Sequence, residues 1–412
     1  TRKKETLFKK FKRTNKLEDK QAYVDHKQKT QYALRDAHRN YVKNILENSL
    51  ENKDTKPFWK YIKQQRQDST GVAPLKSDGK LYSDSKDKAE ILNKQFESVF
   101  TKDENIPTLK LYGTKHTDIS KLKITEPGVK KLLGQLNVRK ASGPDNIPNL
   151  ILKELSAELA PLITAIFNQS LETGTLPKDW TNANVTPIFK KSNKHDPANY
   201  RPVSLTCVCC KILEHIICRH MMAHFESFKI LTNLQHSFHS GHSCESQLLI
   251  TTDDLFINFD NKIQTDIAIL DFSKAFDTVP HKRLLTKISH YGINGNINRW
   301  IESFLGNRNQ SVVVEGVKSS PVRVLSGVPQ GTVLGPLLFL CHINDLPSTV
   351  TSQVRMFADD CLVYRPITAE QDHLSLQKDL ESLDFWAKMW GMVFNLTKYN
   401  KMRNSRSRTS YT

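Results

Sequence analysis

Two adjacent carboxylates, Asp359 and Asp360, stand between apolar stretches within residues 354–364. The pattern predicts two short strands around an acidic turn, with both carboxylates at the tip of a hairpin. Acid pairs also occur in turns because Asp hydrogen-bonds its own backbone there. Apolar flanking strands would hold the two charges close together, where their repulsion is costly without a cation. The pair is therefore a candidate metal-binding group, with ordinary turn chemistry as the alternative.

A third acid, Asp271, follows the apolar run Ile267 to Leu270 and precedes a polar segment. The carboxylate of Asp271 would emerge where a buried strand meets a turn. Mg²⁺ is usually held by one or two carboxylates together with substrate phosphates, so Asp271 and the acidic turn together could hold such an ion. The alternative is that Asp271 caps the helix that follows it.

The elements that must position these acids are mixed helices and strands. Strand patterns occur at residues 182–189 and 265–272, and residues 308–324 predict a hairpin. The strands do not alternate regularly with helices, and no internal repeat is found. This order favours an α+β fold with an antiparallel sheet.

The amino-acid composition limits the classes of protein to which the chain could belong. The chain has 60 Lys and Arg against 43 Asp and Glu, a formal net charge of +17, which is typical of proteins that neutralise phosphates but is shared by other basic proteins. The seven cysteines include no paired CxxC motifs, so neither a disulfide framework nor a zinc site is supported. No apolar run approaches the roughly 20 residues needed to cross a bilayer, which predicts an intracellular protein. The first residue is Thr1, which suggests that the sequence begins inside a longer product.

The chain is predicted to change character along its length. Residues 1–70 are polar and charged and predict one or two helices in a basic linker region, with residues 57–66 docking an aromatic face. Residues 71–123 predict a connecting region around one amphipathic helix near residues 91–100. A folded domain is expected to begin at Ile124, where apolar residues become denser.

Three motifs in a fixed order suggest a family. The segments LDFSKAFDTVPH (270–281), SGVPQGTVLGPLLF (326–339) and FADD (357–360) closely resemble motifs A, B and C of reverse transcriptases from non-LTR retrotransposons of the Jockey and CR1 type. The resemblance covers roughly residues 124–398. It implies right-hand polymerase fingers and palm with an antiparallel palm sheet, preceded by a helical N-terminal extension.

The resemblance also implies domain limits and partners. Fingers are expected over 124–264, a palm with motifs A to D over 265–400 and a truncated tail over 401–412, with the thumb of the family largely missing and its endonuclease absent. The implied partners are an RNA template, a DNA primer or target, and deoxynucleoside triphosphates. The implied location is the nucleus when active and the cytoplasm as a ribonucleoprotein, while the oligomeric state stays open.

The resemblance assigns catalytic roles to four residues. Asp271 and Asp359 would ligate two Mg²⁺ ions, or Mn²⁺, with Asp360 as a supporting ligand, in an arrangement whose ions lie about 3.5 to 4 Å apart. One ion would activate the primer 3′-hydroxyl and the other would bind the triphosphate. Lys398 matches the motif D lysine that protonates pyrophosphate, although it could also be an ordinary surface lysine.

Other positions are assigned to the nucleotide or template. Phe276 matches the bulky side chain that excludes a 2′-hydroxyl, although a core aromatic is the alternative. Lys190 and Arg201 resemble residues that close on the triphosphate, with Lys191 competing for the place of Lys190. The turn of Pro329, Gln330 and Gly331 would bring backbone close to template and nucleotide, as glycine permits. Phe272 is placed in the same binding set.

Some positions depart from the family pattern. Ser237 and His239 stand where the family usually has glycine and arginine, and a neutral histidine cannot replace a guanidinium on phosphate. One alternative is therefore a decayed, catalytically inactive element remnant that only binds RNA. An RNA-dependent RNA polymerase usually has a GDD turn and a hydrogen-bonding residue in place of Phe276. A group II intron maturase is closer, but residues 140–148 and 199–205 favour the retrotransposon branch.

Overall fold

The computed structural model describes residues 2–51, 71–102, 109 and 111–406. The chain divides into two compact units, Thr1–Thr70 and Gly71–Thr412, and each is described by itself. Segment 57–66, predicted to dock an aromatic face, lies outside the described residues.

The first unit is helical over its described part. It contains α1 (Arg2–Thr14) and α2 (Leu17–Glu51). Lys10 and Asp19 form an ion pair of 2.8 Å, and the rings of Phe8 and Tyr23 pack with centroids 5.1 Å apart. The prediction of one or two polar helices is confirmed for residues 2–51.

The second unit contains the remaining described elements. Its helices are α3 (Ser85–Glu97), α4 (Glu126–Gly134), α5 (Asn149–Glu154), α6 (Ser156–Thr173), α7 (Val208–Ser227), α8 (Cys244–Asp260), α9 (Ala275–Thr278), α10 (His281–His290), α11 (Gly295–Leu305), α12 (Leu334–Ile343) and α13 (Glu370–Met389). Its strands are β1 (Leu75–Ser77), β2 (Lys80–Tyr82), β3 (Asn182–Phe189), β4 (Tyr200–Leu205), β5 (Gln264–Asp271), β6 (Asn309–Val314), β7 (Val317–Lys318), β8 (Val322–Arg323), β9 (Gln353–Phe357), β10 (Asp360–Ile367) and β11 (Asn400–Asn404). The α+β prediction is confirmed.

A four-stranded sheet in the order β11-β5-β10-β9 is antiparallel throughout, as predicted. Strand β5 lies inside this sheet, and Ala268 and Leu270 of its apolar run pack into the larger hydrophobic core. Strand β11 pairs with β5 along Thr265 to Ile269, although residues 401–412 are predicted to be only a tail. The sequence NKMRN has no apolar alternation, so its pairing depends on the free edge that β5 offers.

A second sheet has the order β4-β3-β6-β7, with β8 also paired to β6. Strands β3 and β6 run parallel, which the sequence does not predict, and their pairing ends at Val185 and Val312. Pro187 follows on β3 and lacks an N–H, so it cannot continue this ladder as a donor. The predicted hairpin within 308–324 is present as β6 and β7.

The predicted connecting region 71–123 contributes to a folded core. Leu75 and Leu92 are completely buried, and they pack with Val185 and Val312 in a small hydrophobic cluster. Helix α3 begins at an N-cap, Asp84, whose carboxylate accepts hydrogen bonds from the backbone of the first turn. The folded part of the second unit therefore begins well before Ile124, where the sequence predicts the start of the folded domain. The weak local pattern is overridden here by packing against distant strands.

Within the described residues, no helix combines the length and the apolar character needed to cross a bilayer.

Candidate active site

The acidic turn is the tip of the β9–β10 hairpin, as predicted. Phe357 and Asp360 are paired across the hairpin, which leaves Ala358 and Asp359 as its two connecting residues. Ala358 has φ 52°, in the left-handed region that few residues other than glycine adopt. This conformation projects Asp359 from the end of the sheet.

Antiparallel pairing brings the third acid to the same place. Asp271 is the register partner of Asp360, so the ends of β5 and β10 lie side by side. Asp271 is 7% exposed. It is not the cap of the following helix, because the residue at the N-cap of α9 is Lys274. The helix-cap alternative for Asp271 is therefore not supported.

Lys398 contacts the site directly. Its Nζ donates a hydrogen bond to the Asp271 carboxylate, while the Asn395 backbone N–H donates to the Asp271 carbonyl at 2.8 Å. The segment after α13 is thereby attached to the end of β5. Lys398 is an ion-pair partner of Asp271 rather than an isolated surface lysine.

The surroundings of Asp359 and Asp360 disfavour the ionised form of both carboxylates. Burial raises the pKa of Asp359, and the charge of Asp271 raises it further, against the opposing effect of Lys398. Burial also raises the pKa of Asp360, followed by the charges of Asp359 and Asp271. A cation at this end of the sheet would relieve that cost.

The donor chemistry of these acids fits a hard divalent cation, which prefers carboxylate oxygens. Asp271, Asp359 and Asp360 would supply those oxygens. In the conformation of the described residues, however, no three His, Cys, Asp or Glu side chains converge as a ready metal-binding group. The ammonium of Lys398 instead balances the charge of Asp271.

A cleft of about 640 Å³ opens beside the hairpin tip. Eight of the residues predicted to bind substrate or catalyse line it: Lys190, Lys191, Arg201, Phe272, Phe276, Gln330, Asp359 and Lys398. Asp271, Asp360, Pro329 and Gly331 do not line this cleft. The cleft therefore joins the acidic tip to Lys190 and Lys191, which follow β3, and to Arg201 on β4.

Several basic side chains line the cleft together with Asp359. Burial lowers the pKa of Lys190, followed by the charges of Arg201 and Lys398, while Asp271 raises it. Lys274 also lines the cleft and donates to the Ala198 carbonyl at 3.3 Å. Sequence analysis did not select Lys274, although it lies between Asp271 and Phe276 in motif A.

Phe276 packs against other aromatic rings, as the core-aromatic alternative expects, and its role as a gate for the sugar stays a prediction. Its ring stacks on Phe339 with centroids 4.4 Å apart, and its edge meets Phe238 at 6.4 Å. It also lines the cleft. Phe276 is thus a partly buried aromatic with one side available to a ligand.

The glycine of the PQG turn allows close approach of protein backbone. Gly331 has φ 96°, and a Cβ there would lie 2.7 Å from the Ser204 carbonyl oxygen. The neighbouring Gln330 carbonyl accepts a hydrogen bond from the Ser204 N–H at 2.8 Å. The observed requirement for glycine comes from the contact with β4, whereas the sequence-based argument attributed it to template and nucleotide.

Asp277, which sequence analysis did not select, connects motif A to the PQG turn. Its Oδ1 accepts a hydrogen bond from Gln330 Nε2 at 3.2 Å, and its carbonyl accepts from the Ser326 hydroxyl at 2.7 Å. Burial raises the pKa of Asp277 to about 6, against the effects of Lys274 and Gln330. The second acid of the segment LDFSKAFDTVPH, after Asp271, was the available clue in the sequence.

Asp277→Asn is expected to stabilise the metal-free protein at neutral pH. An acid whose pKa is raised on folding stabilises the native state below its unfolded pKa and loses that contribution as pH rises through about 6. Asparagine keeps the acceptor for Gln330 and does not ionise. The variant should gain about 1–2 kcal/mol at pH 7 and nothing near pH 4 in denaturant unfolding. An equal pH slope for both proteins would contradict this account.

His239, which replaces the expected arginine, belongs to a histidine cluster. Its Nδ1 lies 2.9 Å from His242 Nδ1, and the His236 and His242 rings are 4.9 Å apart. Burial lowers the pKa of His239, followed by the charge of His242. His239 does not line the cleft beside the hairpin tip, so it offers no charge to a ligand in that cleft.

Comparison with known proteins identifies relatives of this chain. The family described as "Reverse transcriptase (RNA-dependent DNA polymerase)" matches residues 189–411. The RNA-directed DNA polymerase from mobile element jockey of Drosophila melanogaster is 31% identical over 288 residues, which are 67% of this chain and 31% of that protein. The probable RNA-directed DNA polymerase from transposon BS of the same species is 26% identical over 396 residues, 89% of this chain and 43% of its own length. The chain thus spans less than half the length of these relatives.

Proposed function

We propose, from the premise that this chain belongs to the reverse transcriptase family, that it is an RNA-directed DNA polymerase of a non-LTR retrotransposon. It would extend a DNA primer on an RNA template with deoxynucleoside triphosphates. The relation to the jockey and BS polymerases supports the retrotransposon branch.

One observation carries the proposal. The pairing of Asp271 with Asp360, next to Asp359 at the hairpin tip, places the three acidic residues at one end of a sheet, and a basic cleft lies beside them. Nucleotidyl transfer needs these two features together, because negative donors hold cations while positive side chains hold phosphates.

Two divalent ions, Mg²⁺ or Mn²⁺, would be held by Asp271 and Asp359 with support from Asp360, and would supply Lewis-acid activation and charge neutralisation when bound. Lys190, with Lys191 as its competitor, and Arg201 would bind the triphosphate. Phe276 would pack under the sugar, beside Phe272. The ammonium of Lys398 would release the carboxylate of Asp271 and would place its own proton near the leaving pyrophosphate.

The two sheets would have separate roles in the polymerase. We assign the antiparallel sheet of β5, β9, β10 and β11 to a palm, within residues 265–400 and the strand that follows. The sheet of β3 and β4, with the helices before residue 264, would form fingers that carry Lys190 and Arg201. The turn at residues 329–331 would lie where the two parts meet the template. The same proposal places the protein in the nucleus when it is active and in the cytoplasm as a ribonucleoprotein.

Primer extension with the full chain tests the proposal. On an RNA template annealed to a DNA primer, we expect Mg²⁺-dependent incorporation of deoxynucleotides. Binding of the same duplex should weaken as salt rises, because the basic surface releases counterions. The same duplex without Mg²⁺ is the control.

The alternative is a remnant that only binds RNA. It is favoured by the neutral His239 in place of arginine and by the ammonium of Lys398 at Asp271. RNA binding with no incorporation in either Mg²⁺ or Mn²⁺ would support the remnant and contradict the polymerase.

A further inference from the structure

The hairpin tip contains a conformation that needs external support. Ala358, directly before Asp359, has φ 52°. A side chain in the left-handed region crowds its own carbonyl, so such residues persist only where surrounding contacts hold them. The tip has only two connecting residues, and the first of two such residues is commonly glycine when its φ is positive. Alanine at this position therefore requires a partner.

The side chain of Gln235 is that partner. Its Oε1 accepts a hydrogen bond from the Ala358 N–H at 3.0 Å, and its Nε2 donates to the Ala358 carbonyl at 3.3 Å. Oε1 also accepts from the Ser237 N–H at 2.9 Å. Gln235 is 3% exposed, so water does not readily replace these bonds. One amide thus holds both peptide groups of Ala358.

The backbone around Gln235 is itself attached to the hairpin. Gln235 forms a parallel bridge with Met356. The Met356 N–H donates to the Leu234 carbonyl at 2.8 Å, and the His236 N–H donates to the Met356 carbonyl at 2.9 Å. The amide of Gln235 is therefore carried on a short strand-like segment that is aligned with β9. Its position relative to Ala358 does not depend on a flexible loop.

We propose that Gln235 is a positioning residue for nucleotidyl transfer, because it fixes Ala358 in the left-handed conformation and thereby sets the direction of the Asp359 carboxylate. This inference rests on the proposed polymerase function. Gln235 does not line the cleft and touches no substrate in this role. It acts through the hairpin.

The chemistry of the contact requires an amide. An ionised glutamate could accept from the two N–H groups, but it could not donate to the Ala358 carbonyl and would add a negative charge near Asp359. A protonated glutamic acid has one O–H donor and an acceptor oxygen, so it can donate to the Ala358 carbonyl and accept from the N–H groups as the amide does. Leucine would leave the N–H groups of Ala358 and Ser237 and the Ala358 carbonyl without this partner.

Gln235→Glu is therefore the main test variant, because it keeps shape and size. At neutral pH we expect kcat for primer extension to fall about tenfold to 100-fold. The Mg²⁺ concentration for half-maximal incorporation should rise about tenfold. Activity relative to the parent should recover as pH falls and the introduced carboxylate gains its proton. Loss of fold stability alone would produce neither the shift in Mg²⁺ requirement nor the recovery at lower pH.

Gln353→Glu is the matched control, because it makes the same substitution at an exposed glutamine. Gln353 is exposed on β9, and no hydrogen bond of its side chain is found in the described part of the chain. Substitution there should leave kcat and the Mg²⁺ requirement unchanged. A Gln235→Glu enzyme that matches the parent and this control in both quantities would overturn the inference.

Hydrogen exchange separates this inference from the proposed function. It needs neither substrate nor activity. In Gln235→Leu, we expect the Ala358 amide to exchange at least about tenfold faster while the amides of β5 keep their rates. Unchanged exchange at Ala358 would overturn the role of Gln235. An inactive parent with faster exchange in the variant would contradict the polymerase proposal but support the control of the hairpin by Gln235.

Discussion

Asp359→Asn is expected to lower the rate of primer extension at least about 1000-fold. The substitution removes a carboxylate that acts on the charge of the reacting groups, while the cleft is retained. Asparagine keeps the size of the side chain but has no charge to hold a divalent ion. The measurement is single-turnover incorporation on an RNA template with Mg²⁺. Binding of the primer–template duplex, measured in parallel, should change little, since the basic side of the cleft is untouched.

The stability of the same variant provides the internal control. The pKa of Asp359 is raised above 3.8 on folding, so the acid stabilises the native state only at low pH and that contribution is lost as pH rises through the native pKa. Metal-free Asp359→Asn should therefore be at least as stable as the parent at neutral pH, with the difference vanishing in acid. An inactive variant that is also less stable at neutral pH would indicate a structural role instead.

A distant acid offers the matched comparison for activity. Asp384 is exposed on α13 and pairs with Lys388 at 2.6 Å. Exposed pairs of this kind contribute little to stability. Asp384→Asn removes the same formal charge, and it should leave incorporation unchanged. A similar loss in both variants would mean that net charge, rather than the hairpin carboxylate, controls the rate.

Phe276→Ala is expected to raise the incorporation of ribonucleotides relative to deoxynucleotides by about 10- to 100-fold, because removal of the ring opens space for a 2′-hydroxyl. The measurement is the ratio of kcat/KM for the two nucleotides with the same base on one template. A ratio within one enzyme does not depend on the fraction of protein that is folded. This matters because the ring also stacks on Phe339.

Phe276→Tyr is the control for the gate. It keeps the ring and its stacking, so the ratio should stay close to that of the parent. Loss of the ring in the alanine variant should also cost about 1–3 kcal/mol of stability, less than for a completely buried phenylalanine. An alanine variant with reduced stability but an unchanged ratio would show that Phe276 is only a core aromatic.

Local sequence was sufficient for the parts of the site that lie within single segments. The apolar strands around Asp359 and the strand that ends at Asp271 follow from alternation and from breakers, which act over a few residues. The order of the three motifs then predicted that the acids belong together. The structure agrees, since Asp271 and Asp360 are register partners.

Tertiary structure alone decided how these segments are held. Gln235 and Ala358 are 123 residues apart in the chain, and Asp277 and Gln330 are 53 apart. Strand β11 and the buried face of α3 likewise depend on distant partners. A side-chain hydrogen bond or an edge pairing forms only after the backbone has brought both groups within reach, so no local pattern of residue types encodes it. The sequence by itself predicted which residues would carry the chemistry, whereas the packed fold determined which residues contact and hold them.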